Sequence, residues 1–156
     1  QSKPKSMAQS LSKIYLHIIF GTKHWQPTIK SPHDKKLFAY IAGTSNSLDC
    51  AAISVGGHLN HVHVLCRLAK NITISNLLET LKKRSSKWMK IQDKSLENFF
   101  WQKGYAAFSI GENSVERVRN YIENQSEHHS RVNYRDEIIR LLEEHDLDYD
   151  EQYFWD

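Results

Sequence analysis

Two histidines one residue apart, His61-Val62-His63, stand near the middle of the stretch from Gly56 to Leu68. The segment from 61 to 68 reads as a β-strand. Strand alternation then puts His61, His63, Leu65 and Arg67 on one side and Val62, Val64, Cys66 and Leu68 on the other. The second set is a core face. The first holds two imidazoles close enough to share a metal ion, with an arginine suited to a phosphate. The plain alternative is a pair of solvent-facing histidines. His58, across a turn, offers a further imidazole.

A second group of chemically able residues comes later: Arg117, Tyr121, Gln125, His128 and His129. Tyr121 and Gln125 are four apart, so on a helix they project from one face a turn apart. The apolar stripe of that helix is Val115, Val118 and Ile122, which leaves Tyr121 at the edge of the buried side. Such a tyrosine is either amphipathic packing or a nucleophile. The glutamine one turn on can supply an oxygen ligand to a site built on two imidazoles.

The elements that must position these residues follow from periodicity. Residues 13–22 form a first strand, with Ile14, Leu16, Ile18 and Phe20 on one face. Residues 30–46 form a helix opened by Ser31 as N-cap and Pro32 at its first position, with Leu37, Tyr40 and Ile41 as the apolar stripe. Strands at 50–58 and 61–68 are joined so tightly by Leu59-Asn60 that they must be an antiparallel hairpin. A helix capped by Ser75 runs to about 92, burying Leu78, Leu81, Trp88 and Met89. A fourth strand covers 104–110, a helix capped by Ser114 runs to 128, and another spans 134–145. The order β-α-β-β-α-β-α is the ferredoxin-like (RRM-like) α+β plan, an antiparallel sheet with two helices on one face and the other face available, extended by a C-terminal helix and tail. Tyr149, Tyr153, Phe154 and Trp155 in that tail should dock on the body, because so much apolar area is rarely left in water.

Composition sets bounds. The 156 residues suit one domain, taken as 7–156, with 1–6 a vector-derived remnant or a disordered arm. No apolar run approaches the roughly 20 residues of a membrane span, which argues against a membrane protein. Cys50 and Cys66 lie in apolar contexts and read as reduced core residues, consistent with a cytoplasmic location. The net charge of +3 conceals a split. From Asp136 onward nine acidic side chains face Arg140 alone, a charge of −8, so the preceding 135 residues carry +11. A body that basic favours a polyanionic partner, although a solvated lysine surface looks the same. Arg67, Lys82, Lys83, Arg84, Lys87, Lys90, Arg117 and Arg119 are the candidate phosphate contacts. Trp25, Phe100 and Trp101 are candidate stacking platforms for single-stranded bases.

Three stretches together, His61-Val62-His63, Trp101 to Ser109 (WQKGYAAFS) and Tyr121 to His129 (YIENQSEHH), resemble the HUH single-tyrosine transposases, including the REP-associated ones. These are small insertion-sequence enzymes that act on single-stranded DNA. The ending Leu147 to Trp155 (LDYDEQYFW) is similar to the same family's tail, so the resemblance runs from about Leu11 to the C-terminus. It implies that His61, His63 and Gln125 are metal ligands and that Tyr121 is the nucleophile. It also implies Mg²⁺ or Mn²⁺ as cofactor, single-stranded DNA with hairpins as substrate, and a homodimer. Asn60 departs from the pattern, standing where relatives often have an aspartate. A zinc site built from Cys50, His58, His61 and Cys66 is a competing arrangement, weakened because Cys66 and His61 point to opposite faces. A hairpin-binding protein of the same fold without catalysis is the alternative function, and a metal-stabilised protein-interaction domain a more distant one.

Overall fold

The computed structural model describes residues 8–129 and 132–150. Four strands, β1 (Tyr15–Gly21), β2 (Ala52–His58), β3 (His61–Arg67) and β4 (Ala106–Ile110), make one antiparallel sheet in the order β2-β3-β1-β4. β2 and β3 close the expected hairpin, with His58 opposite His61. The helices are α1 (Asp34–Ser47), α2 (Ile74–Lys90), α3 (Val115–Glu123), α4 (Gln125–His128) and α5 (Tyr134–Glu144). The connectivity is the ferredoxin-like α+β plan with an added C-terminal helix.

The even positions of β1, Leu16, Ile18 and Phe20, join Val62, Val64 and Cys66 of β3 in a wholly apolar layer beneath α1 and α2. Leu37 and Ile41 of α1 and Leu77, Leu78, Leu81 and Met89 of α2 complete it. Each such fully buried side chain is worth about 1.5–3 kcal/mol in transfer from water. Trp101, expected as a stacking platform, belongs to this layer instead. Its ring meets Phe20 edge-on at 4.7 Å and its Nε1–H donates to Ser85 Oγ at 2.9 Å. Cys50 and Cys66 are free thiols in the same layer, and burial pushes Cys66 up to about 12. Cys66 is therefore a thiol rather than a thiolate, both cysteines lie on the face away from His61, and the four-residue zinc arrangement does not form.

The starts of two helices differ from expectation. Residues 31–33 make a turn in which Lys30 O accepts from both His33 N and Asp34 N, and the Ser31-Pro32 peptide is cis. α1 therefore begins at Asp34, not at Pro32. α2 is capped by Thr73, whose side chain accepts from Asn76 N, rather than by Ser75.

The larger difference concerns the second face of the sheet. It was expected to be open, and α3, α4 and α5 cover it. Val118 and Ile122 of α3 pack on Leu65, while Tyr134, Ile138, Leu141 and Leu142 of α5 pack on Ile19, Ala106 and Phe108. α3 can approach because β2 has glycine at 56. A Cβ there would sit 2.7 Å from the backbone carbonyl oxygen of Ile122, which cannot swing aside. The helix expected over 114–128 is broken at Asn124 (φ −100°, ψ 19°), between Tyr121 and Gln125. Of the aromatic tail, Tyr149 packs against the α5 cluster; Tyr153, Phe154 and Trp155 lie outside the described residues. No helix among the described residues is long and apolar enough to cross a membrane.

Candidate metal and tyrosine site

β3 delivers His61 and His63 to the face beneath α3–α5, and both are fully buried. β1 runs beside it and adds His17, whose Nε2 lies 2.7 Å from His63 Nδ1. α4 brings Gln125, with its Oε1 3.0 Å from His61 Nε2. His129 follows α4 directly. α5 contributes Glu137, which is completely buried although it carries a charge. A buried carboxylate must be paired, and this one is paired several times over. Its Oε1 lies 3.3 Å from His61 Nε2, 3.1 Å from His63 Nε2 and 3.0 Å from His129 Nε2. Its Oε2 accepts from Gln125 Nε2 at 3.2 Å and from the Tyr121 hydroxyl in a short contact, with His128 Nε2 at 3.3 Å. His61 and His63 of β3 thus meet Tyr121, Gln125, His128 and His129 at one carboxylate.

The electrostatics follow from that arrangement. Burial would raise the Glu137 carboxyl, but hydrogen bonding with His129, His61 and His63 more than offsets it and holds the group well below the ordinary carboxylate range. Burial lowers His61 to about 4 against the partial support of Glu137, so His61 is neutral near pH 7. Burial and the neighbouring His63 also push His17 well down. Tyr121 is raised, first by burial and then by the charge of Glu137, and is therefore a phenol.

The donor set fits a divalent metal ion. A neutral His61 carries one ring proton. Asn60 Oδ1, 3.0 Å from His61 Nδ1, accepts a hydrogen bond when the proton sits on that nitrogen, the tautomer that leaves a lone pair on Nε2. That lone pair faces Gln125 Oε1 and Glu137 Oε1, both acceptors, and a cation among them relieves the repulsion. Donor atoms of His61, His63, His129 and Glu137 all lie within 4.8 Å of one another, so a shift of a few tenths of an ångström brings all four within reach of one ion at ordinary metal–ligand distances of about 2.0–2.2 Å. Asn60, the residue that departs from the family pattern, orients His61 by its side-chain oxygen, the task a carboxylate would perform there. Beneath His61 the Tyr134 ring stacks at 4.3 Å and 11°.

Tyr121 is half-buried and stands at the edge of this cluster, its ring 5.6 Å from that of His63. A cleft of about 240 Å³ opens onto it between Arg117, Arg140, His17 and Ser109, and Arg140 Nη2 lies 3.5 Å from the tyrosine oxygen. Arg117 is thus beside the site. The other expected phosphate contacts are not. Lys83, Arg84 and Lys87 are exposed on α2, in the layer across the sheet. Arg67 donates to Ser12 O at 2.7 Å. The Lys82 ammonium is occupied with the carbonyls of Gln102, Lys103 and Gly104 at 2.7–3.0 Å, and burial lowers it to about 8.

Sequence reasoning did not find Glu137, His17 or the inward placement of His129. By composition Glu137 is one of the nine acids that follow residue 135. Its signal was position, because Glu137 shares the stripe of Tyr134, Ile138, Leu141 and Leu142, where a charge is out of place.

The fold and site define a class: a ferredoxin-like α+β sheet whose second face is buried around a histidine–carboxylate cluster beside a helix-borne tyrosine. The chain belongs to the family described as "Transposase IS200 like", which its residues 10–125 match. It is similar in structure to a Deinococcus radiodurans R1 protein described as a transposase, with a TM-score of 0.58 and 18% identity, over 80% of this chain and 98% of that one. It is also similar to a REP-associated tyrosine transposase solved with a REP hairpin, with a TM-score of 0.59 and 13% identity, over 83% of this chain and 76% of that one. At these identities the likeness establishes a shared fold. No curated protein matches the chain significantly.

Proposed function

We propose that the protein is a metal-dependent transposase that cleaves and rejoins single-stranded DNA at hairpin-marked ends, with Tyr121 as its nucleophile and residues 7–156 acting as one unit. The observation that carries this reading is the meeting of the Tyr121 hydroxyl, His61, His63, His129 and Gln125 at the single carboxylate of Glu137. Membership of a transposase family supports it, and so does the fold shared with a protein solved on a hairpin.

His61, His63 and Gln125 would hold the ion, joined by His129 and Glu137. Three imidazoles with a carboxylate favour Mn²⁺ over Mg²⁺, which prefers oxygen donors. When bound, the ion neutralises charge on a phosphodiester's non-bridging oxygens and favours the phenolate. Arg117 and Arg140 border the approach and attract the phosphate. Glu137 Oε2 orients the phenol through their hydrogen bond, and His128 Nε2, on a neutral imidazole 3.5 Å from the phenol oxygen, is the group placed to accept its proton. Tyr121 Oη then bonds to phosphorus and the 3′ oxygen leaves, giving a 5′-phosphotyrosine and a 3′-hydroxyl. The bond's energy is kept, so a 3′-hydroxyl can later attack and rejoin strands without ATP.

All these groups come from one chain, so a homodimer, which the resemblance implies, is not required to assemble the site. Sedimentation with and without hairpin DNA distinguishes an active monomer from a dimer. The chemistry is tested by incubating hairpin-bearing single strands with the protein and Mn²⁺. Wild type forms a denaturation-resistant protein–DNA adduct and Tyr121→Phe does not; absence of any adduct defeats the proposal. One observation favours the alternative of hairpin binding without cleavage: Tyr121 is held protonated against Glu137. In that case hairpin affinity survives Tyr121→Phe and chelation, and no adduct forms under any metal.

A further inference from the structure

At the end of the sheet where β1 leaves and β3 begins, the chain forms a cleft of about 460 Å³, within the range of small-ligand sites. Its walls are residues 22–28, which follow β1, and 95–100, which follow α2. They are tied together by Lys23 N donating to Phe100 O at 2.9 Å and by the bridge between Thr22 and Trp101. The mechanism above uses neither wall. We infer that this cleft is a pocket for one unpaired nucleobase of the DNA strand, stacked on Phe100 and read by Gln26 and Asn98.

Four observations converge. Phe100 is 52% exposed at the cleft, whereas its neighbours Phe99 and Trp101 are buried, so this ring is presented rather than packed. Lys90 Nζ lies over the ring at 4.2 Å from its centroid and Lys23 Nζ at 5.9 Å, so two mobile ammoniums able to meet a phosphate gather on this aromatic ring, the pairing that single-strand binders use for phosphate and base. Among the described residues, none lining the cleft is acidic. Gln26 and Asn98 line the cleft, their side-chain amides make no hydrogen bond among the described residues, and each amide carries a donor and an acceptor matched to a base edge.

The backbone points the same way. His24 and Trp25 both adopt φ of 56°, a left-handed conformation that residues other than glycine adopt at a cost and that tends to collect where a ligand is gripped. Position ties the pocket to the site already described. Thr22 donates to Asn60 O through its N at 2.8 Å and its Oγ1 at 3.2 Å, and the Asn60 side chain holds His61. A base in this cleft therefore lies at the His61 end of the sheet. The pocket selects a nucleotide in the single strand flanking the bond to be cut, and so contributes sequence preference that the metal and tyrosine groups cannot supply.

The inference rests on the single-strand reading of the protein, and the test separates the two. The probes are a bare DNA hairpin and the same hairpin with a single-stranded flank carrying 2-aminopurine at successive positions. Affinity is measured by anisotropy and stacking by 2-aminopurine quenching. The wild type binds the flanked hairpin more tightly and quenches the probe at one flank position. Phe100→Ala loses about tenfold in affinity for the flanked hairpin, loses the quenching, and keeps its affinity for the bare hairpin. Phe100→Trp retains both. Gln26→Ala with Asn98→Ala keeps the quenching but flattens the preference among the four bases at that position. If the wild type still forms its adduct while Phe100→Ala behaves like wild type, the pocket assignment alone is overturned. If the wild type binds neither probe, the single-strand reading falls and the pocket with it.

Discussion

The two faces of the sheet are made by alternate residues of the same strands and are opposite in character. Toward α1 and α2, β1 and β3 present Leu16, Ile18, Phe20, Val62, Val64 and Cys66, a layer with no charge in it. Toward α3–α5 they present His17, His61, His63 and Leu65, met by Gln125, Glu137 and Tyr121. The first face gains free energy from every side chain it covers. The second buries polar groups that gain only if each finds its partner. One pleat thus separates what holds the fold from what the fold is for, and a change on either face should read out differently.

The largest expected effect is on metal affinity. His61→Ala or His63→Ala should abolish tight Mn²⁺ binding measured by calorimetry, because each removes an imidazole from the shared cluster and leaves Glu137 short of a partner. Glu137→Gln should weaken it by at least the roughly 10–100-fold expected for groups behind the ligands, and should lower the melting temperature in chelator because the buried imidazoles lose their carboxylate. Equal loss of affinity from Leu37→Ala, on the other face, would erase the distinction. That variant should instead lose about 2–5 kcal/mol of stability and leave metal affinity unchanged.

Ligand linkage sharpens the contrast. Mn²⁺ at a hundred times its dissociation constant should stabilise the wild type by about 2.7 kcal/mol, and chelation should remove the gain. Gly56→Ala should cost about 1–3 kcal/mol through overpacking against the Ile122 carbonyl, and should reduce metal affinity as well, since it lifts the helix that precedes Gln125.

Acid should loosen the polar face first. His61 titrates near 4 when folded against an ordinary 6.5, so the unfolded chain binds more protons between those values and stability falls as pH drops through that window. Glu137, held low, adds a loss that begins below its ordinary 4.5. Hydrogen exchange from pH 7 toward 4 should expose α3 and α5 amides while α1 and α2 stay protected. Simultaneous loss on both faces would contradict the account.

How much of this was legible depended on period and on context. Alternation gave the apolar layer and the side on which His61 and His63 stand, and the spacing of Tyr121 and Gln125 put them together. Glu137 was hidden because its neighbours Asp136, Glu143 and Glu144 are ordinary surface acids, and only its place on the stripe of Ile138 and Leu141 sets it apart. His17 was hidden because a lone histidine on the strand face opposite Leu16, Ile18 and Phe20 carries no local signal that separates a buried partner of His63 from an exposed polar residue. The covering of the second face could not be read from local signals at all, because it needs Gly56 to admit the Ile122 backbone, a contact between residues far apart in sequence.

The central claim is that the polar face carries the nucleophile. The most direct measurement is mass spectrometry of peptides from protein trapped on hairpin-bearing single-stranded DNA with Mn²⁺. The account predicts a nucleotide joined through a 5′-phosphate to Tyr121 and to no other residue. A covalent nucleotide on a different side chain, or cleavage of the strand with no phosphotyrosine at Tyr121, would contradict it.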